Sequence, residues 1–202
     1  MRLPRALPRS RVSNGEAMTG TFVFGGARSG KSAYAETLAV ESGKPVVYVA
    51  TAQAGDAEMT VRIAHHRARR QAGWTTVEES LSLGCVLEEW CAPDRVVLVD
   101  CLTVWLSNLL FSESREYPEV GHIDPPERFH NERAALLHAI EQVSGDVIFV
   151  SNEVGMGIVP QGAISRWFVD EAGRLNQAVA ARCQRAVWVA AGIPLWLKGQ
   201  AC

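Results

Sequence analysis

Apolar residues in this sequence occur in short continuous runs that alternate with longer stretches of mixed apolar and polar residues. Runs that lack a polar residue at every second position are typical of strands buried on both faces of a sheet, and the mixed stretches are long enough for helices. The pattern predicts strands at 21–24, 45–51, 74–79, 95–100, 146–151, 185–191 and 194–199, and helices at 31–42, 56–72, 81–90, 102–111, 126–143 and 163–182.

The alternation of strands and helices predicts an α/β fold with a mostly parallel central sheet flanked by helices. Residues 112–125 and 152–162 are rich in glycine, proline and polar residues, so they are predicted as loops. A chain of 202 residues is long enough for one hydrophobic core, and we expect residues 21–202 to form a single domain. Ligands of such sheets bind at the carboxyl ends of the strands, where the motifs below should meet.

The first twenty residues differ in composition from the rest. They contain four arginines, two prolines and one acidic residue, and they lack the apolar stretch of a secretory signal. We expect residues 1–20 to be a disordered tail. Two alternatives are a start at Met18 and a functional basic arm.

Overall charge and cysteine content narrow the classes of function. The net charge of −2 gives no broad surface for nucleic acid, and no apolar run reaches the roughly 18 residues of a membrane span. Five cysteines are scattered, odd in number and without a CxxC pair. This argues against a disulfide framework and a structural zinc site, and it fits a protein of the reducing cytoplasm.

A phosphate-binding motif follows the first predicted strand. Gly25, four further residues, Gly30, Lys31 and Ser32 match the P-loop pattern, and a predicted helix follows directly. The glycines let several backbone N–H groups point at one anion, and the helix N-terminus adds its dipole. Lys31 would contact the β and γ phosphates of a nucleotide, and the Ser32 hydroxyl would bind Mg²⁺.

The strand at 95–100 ends in Asp100, the position of the Walker B acid in P-loop proteins. There the carboxylate would bind Mg²⁺ directly or through a water molecule. The alternative is that Asp100 is the N-cap of the helix that follows.

The predicted helix at 56–72 carries an unusual basic face. Arg62, His65, His66 and Arg69 are spaced i, i+3, i+4 and i+7 and therefore share one side. The arginines would repel a metal but attract phosphate, and they would lower an imidazole pKa so that the ring stays neutral and nucleophilic. The alternative is an ordinary solvated basic face.

Several of these segments together resemble one enzyme family. They are GGARSGKS at 25–32, VVYVAT at 46–51, EMTVRIAHHRARR at 58–70, VDCLTVWLSNLL at 99–110, and the block that begins VSNEVGMGIVPQG at 150. The chain resembles the bifunctional adenosylcobinamide kinases / adenosylcobinamide-phosphate guanylyltransferases of cobalamin biosynthesis, and the resemblance extends from Thr21 to Lys198.

The resemblance implies a P-loop, RecA-like fold, a homotrimer, and two reactions that use GTP or ATP with Mg²⁺. In the first reaction adenosylcobinamide is phosphorylated, and in the second GMP passes from GTP through a histidine, here His65, to give adenosylcobinamide-GDP. Lys31 is the other implied catalytic residue. The implied nucleotide contacts are Gly25, Gly26, Ala27, Arg28, Ser29, Gly30, Lys31, Ser32, Ala50, Thr51, Ala52, His66, Arg67, Ala68, Arg69, Glu78 and Asp100, of which Ser32 and Asp100 would also bind the metal.

The sequence departs from the family pattern at Ala52, where a polar residue is common, and at Gln71, where a proline is common. Neither change removes a group that the chemistry needs. The loop that begins at Asn152 and Glu153 is a candidate for contacts with the substrate hydroxyl or its phosphate, and Glu153 is a candidate base. The alternative is that this loop is only a structural turn.

Two other functions stay open from the sequence. A P-loop small-molecule kinase without a covalent intermediate would use the same phosphate-binding motif. A nucleotide-binding regulator or assembly ATPase would also use it, but would need an effector-facing surface that the charge distribution does not indicate.

Overall fold

A computed structural model of the chain describes residues 19–53 and 73–200. The strands, numbered in chain order, are β1 (Thr19–Gly25), β2 (Val46–Ala50), β3 (Thr75–Glu78), β4 (Val96–Asp100), β5 (Asp146–Asn152), β6 (Arg185–Ala190) and β7 (Ile193–Lys198). The helices are α1 (Lys31–Glu41), α2 (Leu83–Trp90), α3 (Leu102–Leu110), α4 (Glu127–Gln142) and α5 (Ala163–Arg182). The strand and helix assignments from the sequence are therefore confirmed within these ranges, with ends that differ by one or two residues.

The seven strands form one sheet in the order β3-β2-β4-β5-β1-β6-β7. Every neighbouring pair is parallel except β6 and β7, which form an antiparallel hairpin. The prediction of an α/β fold with a mostly parallel sheet is confirmed.

Helices cover both faces of this sheet. One face packs against α1, whose Ala35 and Ala39 are fully buried. The other face packs against the remaining described helices, which contribute Trp105, Phe129 and several leucines to the larger core. Within the described ranges no helix combines the length and apolar character that a membrane crossing requires.

The element boundaries correct two details of the sequence analysis. The predicted tail ended at residue 20, but Thr19 and Gly20 already pair with β5, so β1 begins two residues earlier. The helix predicted at 126–143 begins one residue later, at Glu127, and Pro126 is its N-cap. Residues 1–18 and the predicted helix at 56–72 lie outside the described residues.

Candidate functional site

The carboxyl ends of the parallel strands bring distant sequence segments to one edge of the sheet. Ala50 at the end of β2 pairs with Glu78 on one side and with Asp100 on the other. Gly25 at the end of β1 pairs with Asn152 at the end of β5. The P-loop and both predicted acidic contacts therefore lie along the same edge.

The P-loop curls between β1 and α1 with two residues in left-handed backbone conformations. Gly30 has φ = 95° and Arg28 has φ = 57°, and the N–H of Ser29 donates to the carbonyl of Gly26 at 3.2 Å. Helix α1 begins directly afterwards at Lys31, so its N-terminus lies at the edge of the sheet. This is the backbone arrangement that binds phosphate in P-loop proteins.

Lys31 is buried in this loop, with 8% of the residue exposed. Its Nζ donates to the Gly26 carbonyl oxygen at 3.2 Å. Burial lowers the pKa of Lys31 from its usual value, and the neighbouring Asp100 carboxylate acts in the opposite direction. The cation is therefore held close to the Asp100 carboxylate in a partly desolvated position.

Asp100 is oriented by a tyrosine and does not cap the following helix. Its Oδ2 accepts a hydrogen bond of 3.0 Å from the Tyr48 hydroxyl on β2. The N-cap of α3 is Cys101, so the alternative that Asp100 is the N-cap is wrong. Burial and the nearby Asp100 raise the pKa of the Cys101 thiol to about 12, which keeps this thiol protonated at neutral pH.

Thr51 connects the ends of β2 and β4. Its hydroxyl donates to the Cys101 carbonyl at 2.9 Å and accepts from the Cys101 N–H at 2.8 Å. Its own carbonyl accepts from Asn108 Nδ2 at 2.8 Å, and the residue is fully buried. The predicted contact between Thr51 and nucleotide stays a prediction, while these bonds give Thr51 a supporting role.

A buried polar network behind the site was missed in the sequence. Ser151 Oγ donates to Asn176 Oδ1 at 2.7 Å and lies 3.2 Å from Thr103 Oγ1. Thr103 Oγ1 accepts from the Asn152 N–H at 2.7 Å, and Asn176 Nδ2 donates to the Asn152 carbonyl at 3.2 Å. The end of β5 is thus fixed to both α3 and α5. Polar residues on the buried faces of those two helices were the available signal.

The predicted basic face and several nucleotide contacts cannot be placed on this edge. Arg62, His65 and His66, together with Arg67, Ala68 and Arg69, lie outside the described residues. Their roles stay predictions.

A family model described as "Cobinamide kinase / cobinamide phosphate guanyltransferase" matches residues 21–197. The chain belongs to this family. The resemblance inferred from the motifs is therefore confirmed over nearly all of the segment for which it was stated.

Named relatives of this cobinamide kinase family are similar over most of their length. The chain is 52% identical over 178 residues to the bifunctional adenosylcobalamin biosynthesis protein CobP of Pseudomonas aeruginosa, covering 88% of this chain and 96% of that protein. It is 41% identical over 178 residues to CobU of Salmonella typhimurium, which carries the same description, covering 87% of this chain and 98% of that protein.

Two solved structures with low sequence identity share the fold of this chain. An ATPase from the type III secretion system of pathogenic bacteria has a TM-score of 0.51 at 10% identity, covering 88% of this chain and 56% of that chain. The ATP synthase subunit NeqB from Nanoarcheaum equitans has a TM-score of 0.51 at 12% identity, covering 85% of this chain and 47% of that chain. The predicted P-loop, RecA-like fold is confirmed.

The oxygen atoms at the edge suit a hard cation better than a soft one. Within residues 19–53 and 73–200 no group of three or more histidine, cysteine, aspartate or glutamate side chains is arranged to hold a metal. Ser32 and Asp100 offer one hydroxyl and one carboxylate, a donor set that fits Mg²⁺ shared with nucleotide phosphates. In this cobinamide kinase, metal binding would then depend on the nucleotide.

Proposed function

We propose that this chain phosphorylates the aminopropanol hydroxyl of adenosylcobinamide and then converts the product to adenosylcobinamide-GDP with GMP taken from GTP. The observation that carries the proposal is the buried Lys31 beside Asp100 at the carboxyl edge of the sheet, in a chain that belongs to the cobinamide kinase family. A buried ammonium loses hydration, and an anionic ligand in contact with it would compensate that loss.

In the kinase step the P-loop binds and orients the triphosphate. Backbone N–H groups of residues 25–32 and the N-terminus of α1 contact the β and γ phosphates, and Lys31 neutralises their charge. The hydroxyl of the acceptor gives its proton to Glu153, the candidate base, and its oxygen attacks the γ phosphorus. The bond between that phosphorus and the β–γ bridging oxygen breaks, and the nucleoside diphosphate leaves. These residues act by position and charge, which is the main requirement of phosphoryl transfer.

Mg²⁺ belongs to the same proposal, with Ser32 and Asp100 as the residues that would hold it. When bound, the ion would neutralise charge that develops on the phosphate oxygens. The hydrogen bond from Tyr48 fixes one oxygen of Asp100 and leaves the carboxylate oriented at the edge of the sheet. Tyr48 is therefore a positioning residue in this account.

In the transferase step His65 attacks the α phosphorus of GTP. A nitrogen–phosphorus bond forms and pyrophosphate leaves. An oxygen of adenosylcobinamide phosphate then attacks the same phosphorus, the nitrogen–phosphorus bond breaks, and His65 is restored. The covalent intermediate avoids the direct approach of two anions. Arg62 and Arg69 would balance the charge in both half-reactions.

Labelled nucleotide tests the covalent step directly. We expect protein incubated with Mg²⁺ and GTP labelled at the α phosphate to keep acid-labile label after denaturation. The His65→Ala variant should carry none, whereas His66→Ala, a matched removal of the adjacent imidazole, should still be labelled. Wild-type protein that stays unlabelled but phosphorylates adenosylcobinamide would support the simpler P-loop kinase.

Assembly and compartment complete the proposal. The homotrimer is carried over from the family resemblance, and light scattering of the purified protein would measure it. Cys85, Cys91, Cys101 and Cys183 are free thiols in the structure, which supports a reducing compartment such as the cytoplasm.

A further inference from the structure

A cleft of about 340 Å³ lies on the flank of the P-loop toward β6. Lys31, Ser32 and Asp100 do not line it, but it shares Gly26 to Ser29 with the P-loop and therefore adjoins the predicted phosphate-binding positions. Its lining residues come from the P-loop, from the loop after β5 and from the end of β6. They are Gly26, Ala27, Arg28, Ser29, Glu153, Met156, Trp188, Val189, Ala190 and Ala191.

One wall of this cleft is apolar and open to a ligand. Met156, Trp188 and Val189 are the large apolar residues that line it. Met156 is 77% exposed although it is a large apolar side chain at the mouth of a concave site. Its exposure would be relieved by a ligand with an apolar body.

A polar wall is formed by Arg28 and Ser29 of the P-loop and by Glu153 of the loop after β5. Ser29 is 9% exposed, and its Oγ has no hydrogen-bond partner among the described residues. Glu153 Oε1 accepts from the Gly155 N–H at 2.6 Å, which orients the carboxylate, and the exposed Arg28 adds a cation.

The cleft extends from the P-loop toward β6, away from the predicted nucleotide contacts on the other strands. Glu78, Ala50 and Asp100 lie at the ends of β3, β2 and β4 on one side of β1, whereas Trp188, Ala190 and Ala191 of the cleft come from β6 and the turn after it on the other side. A nucleotide bound along the first side and a second substrate in the cleft would both reach the P-loop. Their reacting groups would then meet there.

We propose that this cleft binds the arm of the corrinoid substrate that accepts the phosphate. The apolar wall packs against the carbon skeleton of the arm, and the Glu153 carboxylate accepts a hydrogen bond from its hydroxyl. After phosphorylation, the Arg28 guanidinium pairs with the new phosphate. This inference rests on the proposed function, because it takes adenosylcobinamide as the second substrate.

Calorimetry with the full chain tests the apolar wall. Met156→Glu places a charge on that wall, and we expect the Kd for adenosylcobinamide to rise at least about tenfold while the Kd for GTP with Mg²⁺ changes less than about twofold. Ile158→Glu is the matched control, because Ile158 is 98% exposed in the same loop and does not line the cleft. It should change neither constant by more than about twofold.

Arg28→Gln tests the polar wall with a readout that depends on charge. The Kd for adenosylcobinamide phosphate should rise about fivefold or more relative to the Kd for adenosylcobinamide, because only the phosphorylated arm pairs with the guanidinium. An unchanged ratio of the two constants would contradict the assignment of Arg28.

The outcomes separate this inference from the proposed function. Wild-type protein that does not bind adenosylcobinamide would contradict the proposed function itself. If wild-type protein binds adenosylcobinamide, three results would overturn the cleft assignment alone. They are an unchanged Kd for adenosylcobinamide in Met156→Glu, an equal rise of that Kd in Met156→Glu and Ile158→Glu, and loss of GTP binding in Met156→Glu. Thermal unfolding of each variant checks that the fold is intact.

Discussion

Lys31 combines two properties that oppose each other in the folded protein, since it is buried and it carries a charge. Replacing it with methionine removes the desolvation cost and keeps a similar volume. The Gly26 carbonyl stays paired, because it also accepts from the Ser29 N–H. We expect Lys31→Met to raise the free energy of unfolding of the nucleotide-free protein by about 1 kcal/mol and to lower the rate of phosphoryl transfer about 10²–10³-fold.

The difference in stability between wild-type protein and Lys31→Met should depend on pH in a defined direction. Burial lowers the pKa of Lys31, so between its folded value and the usual 10.5 the unfolded chain binds more protons than the folded one. The stability of wild-type protein relative to Lys31→Met should therefore increase as the pH rises through that interval. Chemical denaturation at a series of pH values measures it, and a constant difference would contradict the burial argument.

Lys44→Met is the matched control at the residue level. Lys44 lies at the opposite ends of the strands, where its Nζ donates to Asp146 Oδ2 and to the Pro93 carbonyl, both at 2.8 Å. Its loss should lower the free energy of unfolding by about 0.5–1 kcal/mol and leave the turnover rate unchanged, because a partly exposed ion pair contributes little.

Thiol chemistry should separate the cysteines by burial. Burial raises the pKa of Cys91, of Cys101 and of Cys183 to about 12, whereas Cys85 is exposed. At pH 8 these three thiols are almost entirely protonated and at least partly shielded, so among the four cysteines of the described residues iodoacetamide should modify Cys85 first. Peptide mass spectrometry over time measures the order, and rapid modification of Cys101 in native protein would contradict the structure.

At the level of secondary-structure elements, the polar network at the end of β5 should behave as one unit. Ser151→Ala and Asn176→Ala remove two members that are 2.7 Å apart. Because each change removes the hydrogen bond that the two residues share, we expect the two losses of stability to be non-additive, with a coupling free energy of about 0.5–3 kcal/mol. A double-mutant cycle by urea denaturation measures the coupling, and additive effects would mean that the network is not cooperative.

The sequence predicted these elements well where burial alone decides them. Continuous apolar runs such as 95–100 and 146–151 identify β4 and β5 because a strand covered on both faces has no polar positions. The same reasoning could not show that β7 runs antiparallel, since strand direction depends on the two-residue turn at Ala191 and Gly192, which both have positive φ.

The local motifs of the candidate site were recognisable in the sequence, whereas its long-range contacts were not. The P-loop and Asp100 are recognisable because each is a short motif after a strand. The supporting bonds of Thr51 and Asn176 join residues that are 50 and 24–25 positions apart, so no spacing rule reveals them. Ser29 is a similar case, because its unpaired hydroxyl becomes evident only when the packing of its surroundings is known.

For the molecule as a whole, nucleotide binding should be coupled to global stability. A ligand at 100 times its Kd stabilises the folded state by about 2.7 kcal/mol, which for a chain of this size corresponds to a rise in Tm of about 5–10 °C. We expect such a rise with GTP and Mg²⁺, and a smaller one in Lys31→Met. Thermal unfolding at increasing GTP concentration measures it, and equal shifts in both proteins would exclude Lys31 as a phosphate contact.

The first glycine of the P-loop has a role that does not involve phosphate. A Cβ atom at Gly25 would lie 2.2 Å from the Val189 carbonyl oxygen and 2.8 Å from Ser29 Oγ, so even alanine would force β1 and β6 apart. Selection for a properly assembled sheet would therefore preserve Gly25 in a descendant that had lost all catalytic activity. Retention of Gly25 in such a descendant would therefore indicate only that the fold is kept. Retention of Lys31 would be the better indicator that the catalytic activity persists.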